Sequence, residues 1–216
     1  MQTEYDTLDR KVWVLGGIMA AVAIAALILM LRDFSSPSYL YLAFYAIPAN
    51  SAISVFPHEP VVIAYGSQGS IWWTAVAASI GTMVAGYLDH SVFTPVMNLK
   101  GLAGYKDKAW YQKAARLFTK YPFAVLVVAG FSPVPFFPFK FLSFSVHYPL
   151  KKYLSALLIA RFPRYLLLAY IGSFFEIPAW AMFAFFGVVA LVYAIKTLPG
   201  AVRYLKKVRR ARAGEA

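Results

Sequence analysis

The 216-residue chain contains no cysteine. Disulfides and thiolate metal sites are therefore excluded. Histidine is scarce: His58, His90 and His147 are the only three, and no two are four residues apart. A conventional zinc enzyme does not fit that supply. Charge is also sparse, with 14% charged residues against roughly 25% in an ordinary soluble domain. No nucleotide-binding loop occurs, nor a Ser–His–Asp order in a persuasive local context. From Asp33 to Leu99 there is no lysine or arginine at all. What the chain has in excess is apolar and aromatic surface, at 61% and 18% of residues. That balance points to an integral membrane protein that is not an enzyme.

The apolar residues fall into spans. Val12–Leu31, about 20 residues, is long enough for a retained membrane helix and too long for a typical signal-peptide core. Ser70–Phe93 is a second span, with Trp72 and Trp73 suited to an interfacial belt. In it Ala77, Gly81, Ala85 and Asp89 recur at intervals of four, a small-residue stripe permitting close helix packing. Lys151–Phe175, with a distortion expected at Pro163, and Pro178–Lys196 complete the long segments. Residues 104–120 read as an amphipathic helix on the membrane surface.

Two stretches differ. In 39–69, short apolar arms flank "FPHEP", with Pro57 and Pro60 around His58 and Glu59. In 121–148, the arms "YPFAVLVVAGF" and "FKFLSFSVHY" flank "SPVPFFP", with Pro133, Pro135 and Pro138. Proline removes a backbone donor and interrupts helices. Interrupted backbone is tolerated in hydrocarbon only beside protein or a wet cavity. Both stretches therefore read as re-entrant helical hairpins, with pairs of interfacial helices as the alternative for the first. Interrupted segments at corresponding places in two halves point to a transport site.

The formal net charge of +12 is concentrated in blocks. Six basic residues lie in Lys100–Lys120 and seven in Lys196–Ala216, each block with one acid. Such blocks read as topology and anionic-headgroup contact rather than nucleic-acid binding. Placing them all in the cytoplasm gives a cytoplasmic N-terminus at 1–11, one membrane domain at 12–196 and a basic cytoplasmic tail at 197–216. The two hairpins then enter from opposite faces.

Polar residues inside such a domain are the functional candidates. Glu59 needs a wet cavity or a cationic partner and is a candidate proton carrier or gate, with His58 and Asp89 beside it in that role. Capping of the helix after Glu59 is the bland alternative. Arg161 and Arg164, three apart, suit phosphate oxygens. Lys140 is a third candidate for anionic headgroups, or else reaches an interface. Internal pairing with Glu59, Asp89 or Glu176 competes for the arginines, more for Arg161 than for Arg164. Asn50, Ser54, Ser67 and Gln68 are candidate cavity-lining residues.

These motifs together resemble the DedA family, also called the SNARE-associated or VTT-domain superfamily. The resemblance rests on "FPHEP" at Phe56–Pro60, "GYLDH" at Gly86–His90, "GFSPVPFFPFKFLSF" at Gly130–Phe144 and "PLKKYLSALLIARFPRYLLLAYIG" at Pro149–Gly172. It implies an all-α integral membrane fold with two oppositely entering re-entrant hairpins packed among transmembrane helices. It implies a lipid transporter, flippase or scramblase for phospholipid or polyprenyl-phosphate headgroups, with protons as a possible coupling ion. By motif position, Glu59, Asp89 and Arg164 match charged positions of the family. Many bacterial members carry arginines around the second break, where this chain offers only Lys140. Residence in a bacterial inner membrane is the expected localisation. A homo-oligomer is left open, and neither cofactor, metal nor nucleic acid is expected. The competing functions are a structural or assembly protein that organises lipids or partners, and a proton-coupled small-solute transporter.

Overall fold

The structure, a computed structural model, describes residues 38–52, 57–96, 109–132 and 136–178, with scattered residues between 14 and 32 and between 180 and 195. The expected N-terminal and tail segments, 1–11 and 197–216, lie outside the described residues, as do 104–108, Pro133 and Pro135. Of the spans expected at Val12–Leu31 and Pro178–Lys196 only part is described, and nearly all of that part is helical. Contacts divide the chain into Met1–Glu176 and Ile177–Ala216. The candidate site lies wholly in the first unit.

That unit contains seven helices over which residues are continuously described: α1 (Tyr39–Asn50), α2 (Glu59–Gln68), α3 (Ile71–Val96), α4 (Ala109–Lys120), α5 (Pro122–Phe131), α6 (Phe137–Ser145) and α7 (Leu150–Gly172). α3 and α7 are apolar and long enough to cross a bilayer. They also expose Ile80, Val84, Leu158, Ile159 and Leu167, a surface suited to lipid rather than water. The fold is all-α and membrane-associated.

Besides α4, which has 12 residues, four helices are short: α1, α2, α5 and α6, of 12, 10, 10 and 9 residues. At about 1.5 Å per residue, none reaches beyond about 18 Å, short of a hydrocarbon core of about 30 Å. Proline sets where α2, α5 and α6 begin. Pro60, Pro122 and Pro138 lie in first turns, where the missing amide hydrogen has no helical partner to lose. Pro48 and Pro163 lie inside α1 and α7. The distortion expected at Pro163 does not interrupt α7, which is helical throughout 150–172. Neighbouring helices allow such a proline by re-satisfying nearby backbone groups.

α3 and α7 pack against each other, and the short helices gather around them. α1 lies along α3, while α2 and α5 lie along α7. α6 touches α3 and α5, and α4 rests on α5. Glycines permit the closest approaches. A Cβ on Gly66 would strike the Ala169 carbonyl, and one on Gly172 would strike the Ile63 carbonyl. These reciprocal contacts seat α2 directly on the α7 backbone, as small residues do between membrane helices. Gly81, in the stripe expected on α3, meets Ala43 and Ala46 of α1 in the same way.

Candidate functional site

Helix ends create the site. The last carbonyls of a helix have no partner within it, and four short helices bring several ends into apolar surroundings. After α1, the Asn50 carbonyl accepts a hydrogen bond from Lys140 Nζ at 2.6 Å. The same ammonium donates to Asp89 Oδ2 at 2.8 Å. Asp89 also accepts from Ser51 Oγ and from the Ala52 amide, each at 2.9 Å. Asp89 of α3 and Lys140 of α6 thus jointly satisfy the backbone where α1 stops. Their side chains are 2% and 7% exposed, so the pair is closed to solvent.

After α5, Arg164 of α7 performs the corresponding task. Its Nη1 donates to the carbonyls of Gly130, Phe131 and Ser132. A cation there also suits the negative end of the helix dipole. Its Nη2 donates to Glu59 Oε1, forming an ion pair with the first residue of α2. Here the acid is open: the Glu59 side chain is 44% exposed, against 13% for Arg164.

Between the two breaks lies a cavity of about 370 Å³. Its lining includes Asn50, His58, Glu59, Phe136, Lys140 and Arg161. Pro57 and Pro60 also face it. Arg161 has its guanidinium carbon 5.1 Å from the centre of the Phe136 ring. Its Nε is buried without a hydrogen-bond partner, and no described carboxylate pairs with it. His58 is 6% exposed. Its ring lies between Tyr45 and Tyr165, with centroids at 6.4 and 5.0 Å. Both of its ring nitrogens are buried and without partners. Leaving a polar group in that condition costs about 1–3 kcal/mol, so two such groups on one cavity wall call for a reason.

The tyrosines around the histidine are themselves fixed. Tyr45 Oη donates to the Pro57 carbonyl at 2.8 Å. Tyr165 Oη donates to Asn50 Oδ1 at 3.0 Å and shares a 2.8 Å hydrogen bond with Thr82 Oγ1. Asn50 Nδ2 in turn donates to the Ala46 carbonyl at 2.9 Å. The first break is therefore braced by α1, α3 and α7 together.

Of the candidate residues read from sequence, His58, Glu59, Lys140, Arg161, Pro57 and Pro60 line one cavity. Asp89 and Arg164 hold Lys140 and Glu59 by ion pairs from outside that lining. Internal pairing falls on Arg164 rather than Arg161. Lys140 does not reach an interface; it is 6% exposed. Pro138 lies in the first turn of α6 and not on the cavity. Asn50 lines the cavity, whereas Ser67 and Gln68 sit at the far end of α2 and do not; Ser54 is outside the described residues. Ser51, Phe136, Tyr45 and Tyr165 were not singled out in the sequence. The aromatic residues carry no local signal, because aromatics are abundant throughout. Ser51 directly follows Asn50 at the end of an apolar arm, a usable cue.

No group of three or more histidines and acids able to hold a metal occurs among the described residues. No curated protein and no solved structure matches the chain significantly. A protein family does: the VTT domain matches residues 56–174, more than half of the chain. The matched region begins in the first break, contains α2 to α7 and ends just after α7. Glu59, Asp89, Lys140, Arg161 and Arg164 all lie inside it, and with that region the chain belongs to the VTT-domain, or DedA, family of membrane transporters associated with lipid handling.

Proposed function

We propose that the chain moves lipid headgroups across a bilayer, as a transporter or scramblase for phospholipid or polyprenyl phosphate. Arg161 carries this reading. It is a cation on a cavity between two helix breaks, and no described carboxylate neutralises it. A desolvated unpaired charge is costly, and phosphate oxygens match the guanidinium fork. The headgroup would cross this polar space while its tails remain in lipid.

The charged neighbours then divide their work. Asp89 and Lys140 keep the first break closed around its backbone. Glu59 and Arg164 form the gate, since theirs is the pair with an exposed member. Protonation of Glu59 would remove the charge from its pair with Arg164 and couple movement to a proton gradient. The arms α1–α2 and α5–α6 would be re-entrant hairpins from opposite faces of a single membrane domain at 12–196. Their shortness and their breaks support this arrangement. Basic segments at Lys100–Lys120 and in the tail would face the cytoplasm, with a bacterial inner membrane as the setting.

The test is movement of fluorescent phospholipid and polyprenyl phosphate in proteoliposomes, with and without a pH gradient. Arg161→Gln should lower movement at least about tenfold, the scale of one lost charged hydrogen bond, with folding intact. Glu59→Gln should abolish any gradient dependence. Unchanged movement in a folded Arg161→Gln protein refutes the headgroup path. A second reading, an organiser of lipids or partners, draws on α4, where Arg116 and Lys120 are exposed. It gives Arg161 no task.

A further inference from the structure

We propose that His58 selects the headgroup, favouring phosphodiesters that carry a hydrogen-bond donor, such as a hydroxyl or an ammonium, over headgroups that offer only acceptors. The inference rests on the headgroup reading of the same cavity. It assigns a residue that the pairing scheme leaves unused.

A neutral imidazole presents one N–H donor and one nitrogen acceptor. In His58 neither is satisfied, although the residue lines a cavity with polar walls. Simple packing would be served as well by phenylalanine. The Tyr45 and Tyr165 rings that flank His58 spend their hydroxyls elsewhere, on Pro57, Asn50 and Thr82. Glu59 and Lys140, also on the cavity, are engaged with Arg164 and with Asp89. Arg161 supplies only donors. The sole unengaged nitrogen acceptor among these groups is therefore on His58.

The two nitrogens are covered in the conformation seen, so the remaining exposure of His58 lies on its other atoms. Half a turn about Cβ–Cγ exchanges each nitrogen with a ring carbon, and this torsion is broad and roughly two-fold. A ligand that satisfies both nitrogens must bring an acceptor and a donor. With its phosphate on Arg161, a glycerol, serine or ethanolamine headgroup brings both. A choline headgroup, and a polyprenyl phosphate as its dianion, present acceptors only and leave one imidazole nitrogen orphaned.

The experiment has a binding arm and a transport arm, both on the full chain. Short-chain phosphatidylglycerol, phosphatidylethanolamine, phosphatidylcholine and a polyprenyl phosphate are titrated against detergent-solubilised protein by native mass spectrometry. The same headgroups are followed in proteoliposomes. The wild type should bind the glycerol or ethanolamine lipid about tenfold more tightly than the choline lipid, the scale of one hydrogen bond. His58→Phe should erase that ratio while keeping thermal stability at or above wild type. His58→Asn, which retains a donor and an acceptor, should restore part of it. Preference for glycerol over ethanolamine, or the reverse, identifies the donor as hydroxyl or ammonium. Equal binding of all four lipids by the wild type overturns the proposal, as does an undiminished ratio in His58→Phe. Binding that depends on His58 without any lipid movement would sink the transport reading and leave the selectivity standing. Movement without headgroup preference would do the opposite.

Discussion

The two breaks in the chain are held by the same chemistry with opposite burial. At the end of α1 the cation comes from α6 and the acid from α3. At the end of α5 the cation comes from α7, and the acid it pairs with comes from α2. Each returning arm thus offers a charge to the long helix of the other half, with the signs reversed. Asp89–Lys140 is closed, whereas Glu59 is nearly half exposed. A closed pair opens only by exposing two charges to apolar surroundings. The same pairing thus makes two joints, one closed and one open, and burial separates them.

The largest effect should come from breaking the closed pair one side at a time. Lys140→Met or Asp89→Leu leaves a buried charge unpaired, at about 3–5 kcal/mol. Thermal unfolding in detergent should show a large loss for each, and the double variant should recover part of it. Equal, small losses at Asp89 and Glu59 would erase the distinction between the joints.

Separating α2 from α7 should have a middling effect. Gly172→Ala places a methyl on the Ile63 carbonyl, and overpacking of that kind typically costs about 1–3 kcal/mol. Since α2 carries Glu59 and α7 carries Arg164, spectroscopic distances between labels on the two helices should lengthen. An unchanged distance with unchanged stability would show that the glycine contact does not hold Glu59 beside Arg164.

Glu59→Gln should change unfolding least among the site variants, by under about 1 kcal/mol, because an exposed pair contributes little. Its amide oxygen can still accept from Arg164. The smallest shift is expected from salt. Raising ionic strength shortens the screening length from about 10 Å at 0.1 M to about 3 Å at 1 M. The residual stability difference between Glu59→Gln and wild type should shrink with salt. The penalty of Lys140→Met should persist.

Much of this architecture is legible in the residues. Apolar runs of different length separate α3 and α7 from the short arms, because length alone decides what can cross hydrocarbon. Prolines mark both breaks, and Pro60 and Pro138 fix where helices restart. Glu59, Asp89, Lys140, Arg161 and Arg164 stand out because charges are rare in such surroundings. Less legible is what each charge does. Pairing was expected more for Arg161 than for Arg164, and the reverse is found. Three residues turn a helix by about 300°, so the two arginines share a face only loosely. Which one meets Glu59 depends on where α2 lies along α7.

Sequence by itself thus determined the helical, membrane-embedded class, the two interrupted segments and the handful of charges worth watching. Tertiary structure decided the partners. Lys140 reaches Asp89 across 51 positions of chain, and Arg164 reaches Glu59 across 105. Such pairings follow from the close seating of α2 on α7 and of α6 beside α3, not from spacing. The same packing leaves Arg161 and His58 unsatisfied on one cavity, because the carboxylates nearby are already claimed by Lys140 and Arg164.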